Sequence, residues 1–275
     1  MTRLFAVIGD GRVAKSLSPA MHNAALTAHG IDGLYLALAV EPARVGEAVA
    51  GIRGLGLAGV NVTVPHKQAV IPHLDALDPL ALRLGAVNTI VNQAGVLTGH
   101  NTDLPGLLWA LKRAGVEPAG RRCLVVGAGG AARAVVLGLN QAGAAGVTIA
   151  ARRVEQARAL AAELGGEGVA LAECAPIAAQ AALIVNASAV SDPAEGPDLA
   201  RLAAGWNLAA CRLVLDINYG RRVNLWRQLA RHAGAAFVDG RPMLAAQAAH
   251  SFALWTGLNP DPAAFLAALP APPAE

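Results

Sequence analysis

Lys67 closes the segment Asn61-Val62-Thr63-Val64-Pro65-His66-Lys67, in which a short apolar strand runs into a proline. Strand alternation puts Asn61 and Thr63 on one face, and Pro65 stops pairing just before the lysine. Alone, such a lysine reads as a surface charge. Two further segments change its weight: Gly85-Ala86-Val87-Asn88-Thr89 supplies an amide on a strand, and Gly99-His100-Asn101-Thr102-Asp103 ends on a carboxylate. If Lys67 and Asp103 meet, the pair can handle the proton of an alcohol while a nicotinamide takes the hydride. His66, beside the lysine, reads as structural. Ser16-Leu17-Ser18-Pro19 precedes a stretch of helical period. Ser18 suits the N-cap and Pro19 the first helical position, and two hydroxyls beside a helix N-terminus also suit a carboxylate ligand.

A second constellation lies further along the chain. Cys123-Leu124-Val125-Val126 runs into Gly127-Ala128-Gly129-Gly130-Ala131-Ala132, then a helix-period stretch and another strand. This is G-x-G-x-x-A: Gly127 makes the tight turn, Gly129 admits a pyrophosphate to the backbone, and Ala132 permits close helix–strand packing. Glycine-rich turns also serve packing alone, but here the motif sits between a strand and a helix. The second strand ends at Ala151-Arg152-Arg153, with no carboxylate to hold ribose hydroxyls. Two guanidiniums there favour a 2′-phosphate and hence NADP. The alternative is a pair of solvated charges opening a helix, which the helix dipole opposes.

These groups need elements to hold them. Aliphatic runs at 4–8, 34–40, 59–64 and 86–92, and again at 123–126, 147–150, 168–171, 183–186, 213–217 and 236–238, read as strands. Helix-period stretches fall at 19–28, 42–51, 104–114, 131–142, 154–164, 223–233, 242–255 and 262–269. The alternation predicts an α/β protein: an N-terminal, mostly parallel βαβ substrate domain and a Rossmann-like NADP-binding domain, with a cleft between them. The loop at 115–120 lies near the boundary, giving a first domain at 1–103, completed by C-terminal helices at 241–275, and a second at 104–240.

Composition excludes other classes. The chain has 275 residues, a net charge of +3 and 15% charged residues, without the basic stripe that nucleic acid requires. No apolar run approaches the roughly 18 residues of a membrane span, and no signal-like segment opens the chain, so a cytoplasmic protein is expected. Three scattered cysteines without C-x-x-C, and seven histidines without ligand spacing, suggest reduced thiols and no metal. A monomer or homodimer is expected, with a small molecule as its partner.

Ser-x-Ser-Pro, Asn-Val-Thr-Val-Pro-His-Lys, Gly-Ala-Val-Asn-Thr, Asn-Thr-Asp, Gly-Ala-Gly-Gly-Ala-Ala and the late run from Gln247 to Gly257 occur in order over almost the whole chain. Together they resemble the shikimate dehydrogenase family. The resemblance implies reversible, NADP-linked interconversion of 3-dehydroshikimate and shikimate on the route to chorismate and the aromatic amino acids. It implies Lys67 and Asp103 as the catalytic pair, and substrate contacts from Ser16, Ser18, Thr63, Asn88, Asp103, Tyr219 and Gln247. It implies cofactor contacts from Gly127, Ala128, Gly129, Gly130, Ala131, Arg152, Ile217 and Gly240, to which the charge of Arg153 is an addition expected from the residues themselves. A polyhydroxy carboxylate suits such a polar set, since each hydroxyl buried without a partner costs about 1–3 kcal/mol.

The chain departs from the family pattern in four places. Ala151-Arg152-Arg153 replaces Asn-Arg-Thr, and Ala189-Val190-Ser191-Asp192 replaces Ser-x-Gly-Met. Arg221 and Asn224 stand where a proline and a threonine are usual, and 9–15 replaces a shorter turn, with Arg12 and Lys15 expected to face water. Two other readings stay open: a paralogue acting on quinate or an aminated analogue, and a non-catalytic NADP-binding protein.

Overall fold

Alternating aliphatic segments pair into two six-stranded sheets in the computed structural model, which describes residues 2–271. The chain divides into two compact units, 1–106 with 244–270, and 107–243. In the first unit lie β1 (Arg3–Gly9), β2 (Gly33–Ala39), β3 (Gly59–Val62), β4 (Ala76–Leu77), β5 (Thr89–Gln93) and β6 (Val96–His100). Their order is β2-β1-β3-β5-β6-β4. The β1–β2, β1–β3 and β4–β6 pairs are parallel, whereas β3–β5 and β5–β6 are antiparallel.

The β5–β6 hairpin is absent from the sequence reading, which begins the strand at 86 and leaves β6 as loop. Its turn sits at Ala94-Gly95, both with positive φ (52° and 90°). Asn or Asp normally signals that turn, and alanine there hides it. Ala86, Val87 and Asn88 precede the ladder, so Asn88 is a loop residue at the mouth of β5. β3 likewise stops at Val62, leaving Thr63 beyond the strand.

Two apolar clusters cover the first sheet. Phe5, Val7, Met21 and Tyr35 pack with Ala245, Ala248, Phe252, Trp255 and Phe265, so the helices Arg241–Thr256 and Pro262–Ala267 supply much of this core. Ile8, Val49, Ile52, Val60, Ile90 and Leu97 form the other. His22 is sealed inside the first cluster, stacked on Tyr35 at 4.3 Å between ring centroids and flanked by Trp255 and Phe265. Neither ring nitrogen has a hydrogen-bond partner among the described residues. Burial without a counter-charge pushes its pKa down to about 3.

Between pH 6.5 and 3 the unfolded chain therefore binds a proton at His22 that the folded chain refuses, and stability falls as pH falls. At pH 5 the loss from this group is about 2 kcal/mol. Urea denaturation at pH 7 and pH 5 checks it: His22→Phe flattens the difference between the two pH values. Equal pH dependence in both proteins would show that His22 is not responsible.

The second unit holds β7 (Arg122–Val126), β8 (Gly146–Ala151), β9 (Glu167–Ala170), β10 (Leu183–Asn186), β11 (Leu213–Asp216) and β12 (Ala236–Val238). All pairs are parallel in the order β12-β11-β10-β7-β8-β9. The order reverses at β7, and the carboxyl ends of β7 and β10 beside that switch are where such sheets bind ligands. Cys123, Cys174 and Cys211 are free, buried thiols whose pKa values burial raises. Among the described residues no helix is long and apolar enough to cross a membrane.

Candidate active site

The chain turns away from β3 through a cis Val64–Pro65 peptide, and His66 anchors the turn by donating from Nε2 to the Val40 carbonyl at 2.8 Å. This leaves Lys67 at the rim, where Nζ donates to Asp103 Oδ2 at 2.5 Å. Both side chains are mostly shielded, at 14% and 7% exposure, so the contact is stronger than a surface ion pair. Asp103 opens the helix Asp103–Arg113, a position that the helix dipole favours for an anion. Asn101 Oδ1 caps this end by accepting from the Asp103 and Leu104 amides at 3.1 and 3.4 Å.

Asn88 Nδ2 donates to the other Asp103 oxygen, Oδ1, at 2.9 Å. The same amide nitrogen contacts Thr102 Oγ1 at 2.9 Å and Gln247 Oε1 at 3.3 Å. Lys67, Asp103, Asn88 and Gln247 thus join in one network, although they come from four separated stretches of sequence.

Ser16, Ser18 and Thr63 lie in the same unit but make no hydrogen bond to that network. The expected N-cap at Ser18 is replaced: Leu17 is the cap residue of the helix Ser18–Ala28, and Ser16 Oγ accepts the Ser18 N–H at 3.2 Å. Ser16, with its extended backbone before the helix, reaches an amide of the first turn, whereas Ser18 already lies inside that turn. The Ser18 and Thr63 hydroxyls have no partner among the described residues. Gly9 lets Thr63 close on this segment, since a Cβ there would lie 2.5 Å from the Thr63 methyl and 3.5 Å from Val13. Arg12 is clamped on Asp10 at 2.7 Å, and Lys15 is exposed.

In the second unit, Gly127 has φ +118°, and a Cβ there would stand 2.6 Å from the Ala187 carbonyl carbon. Gly129 differs: its missing side chain would meet nothing within 4 Å. It is the N-cap of the helix Gly130–Gln141, and no side chain caps that end. Unsatisfied amides beside open space suit a pyrophosphate. Arg152 and Arg153 are exposed past β8, without an ion-pair partner among the described residues. The donor set therefore fits a dinucleotide carrying an additional phosphate.

Gly240 is required for a different reason, since a Cβ would sit 2.0 Å from the Ile217 carbonyl oxygen; its N–H donates to the Asn218 carbonyl at 2.9 Å. Ile217 and Tyr219 are partly buried beyond β11. Asp216, completely buried, accepts from Asn186, Asn218 and Asn224 side-chain amides at 2.8, 3.0 and 2.8 Å. It ties the loop after β10 to the loop after β11.

Residues that depart from the family pattern join this tie and reinforce it. Asn224 also caps the helix Leu225–Ala233, accepting from the Arg227 amide. Glu195 accepts from the Ser191 and Asp192 amides and from Arg221 Nε at 2.7 Å, while Arg221 reaches the Tyr219 carbonyl at 3.3 Å. Burial raises the Glu195 pKa, but these donors outweigh it and hold the carboxyl below its ordinary value.

Asn61, Thr89, Thr102 and Ser251 surround Asn88 from behind and were not among the expected site residues; so also Glu195 and Asp216. For Asn61, Thr89 and Asp216 a polar side chain in an otherwise apolar strand is the sequence signal; Thr102, Ser251 and Glu195 lie outside strands and carry none.

Known proteins resemble this chain over both units. Residues 7–90 match the shikimate dehydrogenase substrate binding domain, 110–231 match shikimate / quinate 5-dehydrogenase, and 240–269 match the shikimate 5′-dehydrogenase C-terminal domain. A shikimate dehydrogenase (NADP(+)) of Moorella thermoacetica is 41% identical over 93% of this chain and 88% of its own. The Thermus thermophilus shikimate 5-dehydrogenase, solved in complex with NADP(H) and shikimate, has a TM-score of 0.84 at 40% identity, covering 97% of this chain and 98% of that one. A quinate dehydrogenase from Corynebacterium glutamicum, solved in complex with NAD, has a TM-score of 0.84 at 30% identity, covering 97% and 98%. With matches of this extent over both units and the Lys67–Asp103 pair in place, the chain belongs to the shikimate dehydrogenase family.

Proposed function

We propose that this chain is an NADP-dependent shikimate dehydrogenase that reversibly reduces 3-dehydroshikimate to shikimate. The observation that carries the proposal is the shielded Lys67 Nζ–Asp103 Oδ2 contact at 2.5 Å, with Asn88 holding the other carboxylate oxygen. The nicotinamide, when bound, supplies or accepts the hydride. Lys67 gives its proton to the oxygen of the reacting carbonyl, or takes it back from the hydroxyl in reverse. Asp103 holds the ammonium in place and, through its second oxygen, stays fixed itself. Ser16, Ser18, Thr63, Asn88, Tyr219 and Gln247 bind substrate hydroxyls and carboxylate; the unpartnered Ser18 and Thr63 hydroxyls support their share of that role. Gly127 to Ala131 receive the pyrophosphate, Arg152 and Arg153 the 2′-phosphate, and Ile217 and Gly240 border the nicotinamide. The enzyme works as a cytoplasmic monomer or homodimer, for which its free thiols are suited.

Quinate with NAD is the rival, favoured by the likeness to a quinate dehydrogenase solved with NAD. Steady-state kcat/KM for shikimate and quinate, each with NADP and with NAD, separates the two. The shikimate–NADP value is expected to exceed the quinate values by about 100-fold, the discrimination against an added hydroxyl, and the shikimate–NAD value by about 10–100-fold for want of the 2′-phosphate. A dominant quinate or NAD value would overturn the proposal.

A further inference from the structure

The polar groups behind the catalytic pair have a defined direction. The Thr102 backbone N–H can only donate, and it lies 2.7 Å from Asn88 Oδ1. The Asn88 amide is therefore oriented with Nδ2 toward Asp103. The Asn88 carbonyl can only accept, and Asn61 Nδ2 lies 3.1 Å from it. Asn61 is thereby oriented as well, with Oδ1 accepting from the Tyr35 hydroxyl at 2.7 Å.

Hydroxyl protons complete the pattern. Thr89 Oγ1 donates its one proton to Asn88 Oδ1 at 3.1 Å. It then accepts from Ser251 Oγ at 2.8 Å and from Asn61 Nδ2 at 3.0 Å. Ser251 Oγ also lies 3.0 Å from Asn61 Nδ2 and 3.0 Å from the Gln247 carbonyl, one helical turn earlier. Asn61 and Thr89 are directly opposed on β3 and β5, and Ser251 comes from the helix that also carries Gln247. Thr89 and Ser251 are fully buried, and Asn61 is 5% exposed. No solvent can replace a missing partner, so removing one hydroxyl loosens the amide it braces.

We propose that Thr89, with Asn61 and Ser251, is a positioning residue that locks the Asn88 amide and so holds Asp103 in register with Lys67. The inference rests on the catalytic reading of Lys67 and Asp103. Its effect falls more on turnover than on substrate affinity, because small displacements of a proton-handling pair cost about 100-fold in rate.

The test compares Thr89→Val, which keeps shape and branching but removes the hydroxyl, with Thr89→Ser, which keeps the hydroxyl. With shikimate and NADP, Thr89→Val is expected to lower kcat about 10–100-fold, raise KM by much less than kcat falls and shift the kcat–pH profile, while Thr89→Ser restores wild-type values. Wild-type kcat and pH profile in Thr89→Val, or equal losses in both variants, would overturn the inference. If Thr89→Val does not fold, Ser251→Ala is read by the same kcat, KM and pH criteria. Asp103→Asn separates the two levels of the argument. Lost turnover there with an unaffected Thr89→Val sinks the positioning role alone, whereas full turnover in Asp103→Asn sinks the catalytic reading and this inference with it.

Discussion

Lys67→Ala lowers kcat for shikimate oxidation by about 10²–10⁴-fold, the range that a positioned acid–base group supplies. NADPH affinity, followed by fluorescence titration, stays within about 3-fold of wild type, because binding groups untouched by the change keep their contribution. The physical reason is local: Nζ is the donor at 2.5 Å from Asp103, and Lys67 lies in the first unit while the glycine-rich turn lies in the second. Alanine also leaves the Asp103 carboxylate, 7% exposed, without its cation. A lowered melting temperature is therefore expected alongside the kinetic loss. A variant that folds, binds NADPH and turns over near the wild-type rate would remove Lys67 from the mechanism.

The second large effect concerns the cofactor. Arg152→Ala combined with Arg153→Ala weakens NADP by about 10–100-fold, since charge-assisted hydrogen bonds contribute about 1.5–3 kcal/mol. NAD has no 2′-phosphate, and its KM should change little. Both guanidiniums are exposed past β8 and bear no structural ion pair among the described residues, so their loss leaves the fold intact. KM values for NADP and NAD in the double variant decide the matter. Equal weakening of both cofactors would refute a phosphate clamp.

Much of this protein is legible along the chain because its chemistry is locally encoded. The turn from Gly127 to Ala132 follows a strand and opens a helix, as its spacing requires, and Lys67 and Asp103 end segments whose composition announces a polar site. Other features depend on distant partners. Thr89 and Ser251 are 162 positions apart, and nothing near either one reveals the other. The β5–β6 hairpin was hidden by an alanine at a positive-φ turn position. The short helices Pro79–Leu84 and Pro197–Ala203 are too brief for a periodicity signal, although Asp78 caps the first as an aspartate before proline should. Ser18 had the right residue type for a cap, yet Ser16 had the geometry. Residue type proposes a partner; backbone conformation decides between neighbours.

The buried Asp216 carboxylate makes the loops after β10 and β11 a single interdependent module. Asn224 and Arg221 on one loop answer Asp216 and Glu195, and Glu195 in turn fastens the other loop's amides. Changing one loop alone would leave polar groups of the other without a partner, so Ser191, Asp192, Arg221 and Asn224 act as one set. Transplanting either loop between relatives separates that set; moving both preserves it.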